Sequence, residues 1–354
     1  MRNYSKFIEV VFFIFLMSLA WSCSAKPNSE GNLDEIYVFS DSLDWLDYKE
    51  PLNDIFGKEY RTPVLEKEFL LKWVNFRKYE SYKHRRNIFF IGRLDGKDAV
   101  SEAIKKLLSE EIIKGVEKGD YFYIPKEDAW AFDQYVLFLV APNKDDMIQR
   151  IYDMGQLAYE DFRKSYFTRL EKQMFARYEN EELEKYIVEH FPFTIRVQHD
   201  YFVASESLTD NYLWLRRLNP DRSLLIYWVD YSDTMRINKD WVIRQRNKLT
   251  RKIYEGDVVV EKETIARRVR FHRWWALRLE GTWKNPKYMI GGPFRSITFI
   301  ENKTRKVFTI DFYVQAVGRR KKVYLDQLDI LAHTFFPKNV EEVAADSLRQ
   351  PSAK

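Results

Sequence analysis

Cysteine occurs once in the 354 residues, at Cys23. A lone thiol cannot close an intramolecular disulfide or build a cysteine-rich metal site. Glycine is scarce, at 12 residues, and neither a Walker loop nor a dinucleotide fingerprint occurs. The Gly-x-Ser-x-Gly elbow of serine hydrolases is missing too. The five histidines are His84, His190, His199, His272 and His333, and none has a histidine or cysteine partner at helical or strand spacing. We therefore expect no metal and no cofactor. Long apolar runs are lacking as well: residues 10–21 form a stretch of about 12 residues, whereas a bilayer-spanning helix needs about 20.

Neither sign of charge dominates the chain. The net charge is +5, with 58 basic residues interleaved among 53 acidic ones, so the basic face of a nucleic-acid binder is not expected. The clusters His84-Arg85-Arg86, Arg267-Arg268-Val269-Arg270 and Arg319-Arg320-Lys321-Lys322 read first as solvated loops or strand ends, with phosphate or carboxylate binding as the alternative. What is abundant is aromatic: 16% of residues, within a 45% hydrophobic total that can fill substantial cores.

The N-terminus reads as an export signal, with Arg2 and Lys6 preceding the apolar run. The close of that run, Leu19-Ala20-Trp21-Ser22-Cys23, resembles a bacterial lipobox, which implies lipidation of Cys23. Ala20, where Leu is usual, and Glu9 within the run depart from the pattern. Ala20-Trp21-Ser22 alone also satisfies an ordinary secretory cleavage site. With two or three acyl chains, at about 0.8 kcal/mol per buried methylene, attachment to the membrane would be effectively permanent. Residues 1–22 are thus read as signal peptide, 23–34 as lipidated cysteine and polar tether, and 338–354 as a disordered polar tail. Surface-exported lipoproteins of the Bacteroidetes often carry an acidic cluster directly after the cysteine, whereas the nearest acid here is Glu30, so the resemblance implies the periplasmic face of the outer membrane.

Between tether and tail, residues 35–180 and 181–337 read as two α+β domains. The first begins with a strand over Glu35–Ser40 and a helix capped by Asp41 or Ser42 and stopped by Gly57. Strands Phe69–Phe76 and Asn87–Gly92 read as a long-looped hairpin. A helix over Asp98–Ser109, strands Tyr121–Ile124 and Gln134–Val140, and a long helix from Lys144 to Phe175 capped by Asn143 complete it. The second repeats the order, with strands Phe193–Ser205, Ser223–Tyr231, Val269–Gly281, Ser296–Ile300 and Val307–Val317, a short apolar-basic segment over Asn211–Leu218, and helices near 238–252 and 324–335. The expected fold is two related sandwiches of mainly antiparallel sheet with helices on one face, in the manner of an internal duplication.

The densest unusual stretch runs from Arg273 to Phe294. Gly291 and Gly292 permit positive φ or close backbone approach, and Pro293 fixes a turn. One reading is an aromatic-lined binding groove contacted by Trp283, Tyr288, Met289, Gly291, Gly292, Pro293 and Phe294, with Arg295 as an anion partner. The other has Trp274 and Trp275 alternating in and out of a strand, with the glycines serving a tight connection. Gly281-Thr282-Trp283, Met289 to Phe294, Tyr313-Val314, Arg319 to Lys322 and Arg85 to Ile88 resemble a family of Bacteroidetes envelope lipoproteins labelled as a domain of unknown function. Ile290 stands where that family has a small residue. The resemblance implies an address and a fold and carries no activity.

The reading from sequence is a membrane-anchored, non-catalytic module that binds an envelope protein, glycan or peptide. Its rivals are a hydrolase or transferase using Glu280 with His272 or Asp311, and a lipid carrier with an apolar cavity beneath residues 147–170.

Overall fold

A computed structural model describes residues 26–60 and 65–338; Cys23, segment 1–22 and residues 339–354 of the tail lie outside the described residues. The chain forms two compact units, Met1–Leu52 with Leu71–Ala158, and Asn53–Leu70 with Tyr159–Lys354. The division is not sequential as in the 35–180 and 181–337 reading, because 53–70 and the end of the long helix belong with the second unit.

The first unit holds β1 (Glu35–Phe39), most of α1 (Ser42–Phe56), nearly all of β4 (Leu70–Trp73), α2 (Tyr79–Tyr82), β5 (Asn87–Arg93), α3 (Ala99–Leu107), α4 (Glu110–Lys118), β6 (Tyr123–Glu127), β7 (Tyr135–Ala141) and the start of α5 (Lys144–Phe175). Its sheet has the order β4-β1-β5-β7-β6. The β1–β5 and β5–β7 pairs are parallel, and β6 runs antiparallel to β7. The expected hairpin of Phe69–Phe76 with Asn87–Gly92 is therefore corrected: β1 lies between β4 and β5. The runs Ile88 to Ile91 and Tyr135 to Ala141 are buried at every position, the mark of strands covered on both faces. Phe39, Phe90 and Phe138 stack across the three parallel strands at 5.3 and 5.1 Å. Asp41 caps α1, its Oδ1 accepting from the Leu43 amide at 2.8 Å. The helix expected over Asp98–Ser109 is α3, capped by Asp98, and Ser109 caps a further helix, α4, where the sequence reading placed none.

The second unit contains β2 (Glu59–Tyr60), β3 (Glu66–Lys67), the rest of α5, α6 (Glu181–His190), β8 (Phe193–Thr194), β9 (Phe202–Ser207), β10 (Tyr212–Arg217), β11 (Asp221–Asp230), α7 (Lys239–Ile253), β12 (Val258–Val259), β13 (Ile265–Phe271), β14 (Trp274–Asn285), β15 (Ile290–Glu301), β16 (Lys306–Gln315), α8 (Lys322–His333) and β17 (Phe336–Pro337). Its large sheet is antiparallel throughout, in the order β12-β14-β15-β16-β11-β10-β9, with β13 also paired to β14. The fold is α+β, and antiparallel pairing dominates it. The duplication does not extend to topology, since the first sheet has a parallel centre and the second has none. Nor is the second sheet covered on one face only. Paired residues of adjacent strands share a face. Leu279, Ser296, Asp311 and Leu225 form one row, against α7, while Glu280, Arg295, Phe312 and Leu224 form the opposite row, against α8. β11, β15 and β16 are buried along nearly their whole lengths, which requires cover on both sides.

Candidate functional site

A cavity of about 950 Å³ opens on the α8 face of the large sheet, within the second unit. Helical periodicity supplies one wall: Glu160, Arg163, Lys164, Phe167, Thr168 and Glu171 follow the i, i+3, i+4, i+7 spacing that puts residues on one side of α5. Asp326, Asp329, Ile330 and His333 do the same on α8. The opposite wall is β13, where period-two alternation turns Ile265, Arg267 and Val269 inward. Arg278 and Glu280 of β14, Arg295 of β15 and Tyr60 of β2 make the floor.

That floor is an ionic network. Arg278 donates to both oxygens of Asp329 at 2.9 and 2.6 Å and, through Nε, to Glu280 at 2.8 Å. Arg295 donates to Asp329 at 3.0 Å and also to the Tyr60 hydroxyl, and its Nε lies 3.3 Å from Glu280. Tyr60 and Tyr166 donate to Asp326 at 2.7 and 2.9 Å, and Lys322 Nζ approaches it to 2.9 Å. Burial alone would raise the three carboxyls, but the opposed charges outweigh it and hold all of them below the ordinary range. The decisive cations are Arg295 and Arg278 at Glu280, Lys322 and Arg295 at Asp326, and Arg278 and Arg295 at Asp329. Desolvation pushes the Tyr60 hydroxyl well up, so it stays protonated and donates. Such a floor offers fixed, ionised hydrogen-bonding groups.

The residues expected to form a groove are not brought together. Trp283, Gly292, Pro293 and Phe294 are buried, whereas Tyr288 and Met289 stand exposed on the β14–β15 turn. The glycine pair lies in β15, opposite Lys284 and Trp283, and the turn is made by Pro286 to Met289, with Met289 taking φ +54°. Close approach is what Gly292 provides: a Cβ there would sit 2.2 Å from the Val314 carbonyl oxygen. Arg295 does meet anions, but they are the protein's own Asp329 and Glu280. Trp274 is buried and Trp275 exposed, the alternation of an ordinary strand.

The proposed Glu280, His272 and Asp311 set does not converge either. Glu280 and Asp311 lie on opposite faces of the sheet. His272 occupies the β13–β14 turn against Phe336, with its centroid 4.3 Å away, and burial lowers its pKa. On the α7 face Asp311 is fully buried and accepts from Arg246 Nε at 2.9 Å, and burial pushes its carboxyl up even so. The helix that the lipid-carrier alternative sets over an apolar cavity lines a charged one along residues 160–171. Among the described residues no group of three or more metal-ligating side chains occurs, and no helix is long and apolar enough to cross a membrane.

Sequence reasoning missed Tyr60, Arg278, Asp326 and Asp329. The spacing on α8 was visible, but the partners of Asp326 and Asp329 lie up to 266 positions away.

Residues 180–334 match a family described as a domain of unknown function, DUF4837, and residues 29–175 match a second such family, DUF8532. Among curated proteins none matches. Solved structures give distant likenesses. A Bacteroides thetaiotaomicron protein shares 13% identity over 42% of this chain and 46% of its own, with a TM-score of 0.26. LpqN of Mycobacterium tuberculosis, involved in cell envelope biogenesis, shares 12% over 41% of this chain and 83% of its own, at 0.27. The Ran-binding protein Mog1p of Saccharomyces cerevisiae shares 11% over 42% and 92%, at 0.30. The chain thus spans less than half of the Bacteroides protein, and scores this low support no argument from any of the three.

Proposed function

We propose that the protein is a lipid-anchored envelope protein of the Bacteroidetes type, attached through Cys23 and facing the periplasm, whose second unit is a non-catalytic binding module. The observation that carries the binding reading is the cavity floor, where carboxylates and guanidiniums saturate one another. A general acid or base must change protonation near working pH, and Glu280, Asp326 and Asp329 are held ionised instead. Rigid charged groups beneath an aromatic wall suit recognition of a polar partner, a peptide or glycan of the envelope. Phe167, with Arg163 stacked 4.7 Å from its ring centroid, provides that wall.

A benzophenone side chain in place of Phe167 should form a discrete adduct in living cells, and one in place of Met289 should not. Adducts from Met289 alone would move the contact surface to the β14–β15 turn and end the cavity reading. Separately, Cys23→Ser should release the protein from the membrane fraction; retention after normal cleavage would end the anchor reading.

A further inference from the structure

We infer that β13 is a docking edge for an extended acidic peptide segment of a partner protein, which joins the large sheet as an additional strand and drops alternate side chains into the cavity. This rests on the reading of the second unit as a binding module. Among the described residues β13 pairs with β14 alone, from Ile265↔Glu280 to Phe271↔Trp274, so its other side presents backbone donors and acceptors. The cavity lies against the same strand. Ile265, Arg267 and Val269 turn towards it, and Ile265 and Val269 are only half-buried at its wall.

Charge selects the occupant. β13 contains Arg267, Arg268 and Arg270 and no acidic residue. Arg268 and Arg270 stack on the exposed Trp275 ring at 4.5 and 4.8 Å, which holds both guanidiniums in place without neutralising them. Arg267 lies 3.9 Å from Glu280 Oε2, whose other oxygen already accepts from Arg278. Cations therefore stand on both faces of the edge, Arg267 on the cavity side and Arg268 on the other, while Arg270 stacks on Trp275 and also borders the cavity. Acidic side chains at neighbouring positions of an added strand each meet a guanidinium. The same arginines repel a second copy of β13, so the edge is closed to self-pairing and open to an acidic strand.

The test uses the mature full-length chain and a fluorescein-labelled, end-capped seven-residue peptide of Glu and Val. Anisotropy should report saturable binding that weakens with salt. N-methylating alternate residues on the peptide edge that faces β13 should cost at least about tenfold in Kd, and methylating the opposite edge should cost little. Combined Arg267→Glu, Arg268→Glu and Arg270→Glu, all at exposed positions, should abolish binding of the acidic peptide and confer binding of a Lys/Val counterpart. That gain also shows that the variant is folded. Equal tolerance of methylation on both edges, or saturable binding of a sulfated hexasaccharide in place of the peptide, would overturn strand addition. If the triple variant still yields the Phe167 adduct in cells, strand addition fails while the binding module stands; if the adduct never forms, the module itself fails.

Discussion

On the α7 face of the large sheet one guanidinium, Arg246, meets one carboxylate, Asp311, and both are sealed from solvent. On the α8 face Arg278 and Arg295 bracket Asp329 and Glu280, with Lys322 beside Asp326, at the floor of an open cavity. The sheet is the same, and both sites pair arginine with carboxylate. One cation does not offset the desolvation of Asp311, whose carboxyl is pushed up, whereas two arginines hold Asp329 down. The number of counter-charges, rather than burial, separates a closed ion pair from an ionised surface that a ligand can meet.

The largest effect should come from opening the closed pair. Arg246→Met leaves Asp311 buried alone and should cost about 3–5 kcal/mol in urea denaturation, while Arg246→Met with Asp311→Leu should recover most of it. Equal losses in the two variants would mean that the pair contributes through packing against Phe294, over which Arg246 lies at 4.8 Å. Asp329→Asn should cost less, about 2–4 kcal/mol, because Glu280 still partners both arginines. A loss matching that of Arg246→Met would remove the distinction between network and pair. Gly292→Ala drives a methyl into the Val314 carbonyl and should cost about 1–3 kcal/mol by the same measurement.

The faces should also separate by pH. On the α7 side Asp257 is raised to about 6 by burial, opposed by its bond from Asn285. In α6, Glu184 is raised to about 7, again mainly by burial. Between the unfolded values near 4 and these folded ones, the folded chain binds more protons, so stability should fall as pH rises from about 5 to 7.5. Glu280, Asp326 and Asp329 are depressed, so their contribution is present above about pH 4 and is lost on further acidification. Melting temperature should therefore peak near pH 5, and Asp257→Asn with Glu184→Gln should flatten the neutral limb only. A flat profile in the parent chain would contradict the raised pair. The smallest effect belongs to the exposed turn: Tyr288→Ala and Met289→Ala should each change stability by no more than about 0.5 kcal/mol.

Much of the fold was legible because it is written in local pattern. The helix from Lys144 to Phe175 with its Asn143 cap follows from periodicity and one side chain, whose Oδ1 accepts from the Asp146 amide at 2.9 Å. The apolar runs of β5 and β7 read as strands, but of an antiparallel sheet, because the parallel pairing of β5 with β1 and β7 depends on contacts across the chain. Gly291 and Gly292 read as a turn because glycine serves turns and close approaches alike. Only the neighbouring carbonyls of Trp283 and Val314 decide between the two.

The sequence by itself determined the α+β class, the element types, the lone Cys23 and the lack of any standard catalytic or metal motif, all properties of composition and short-range spacing. Tertiary structure alone decided the cavity. Its floor joins Tyr60, Arg278, Arg295, Asp326 and Asp329 across as many as 266 positions, and both the ionisation of those groups and the openness of the β13 edge depend on which charges and strands folding brings beside them.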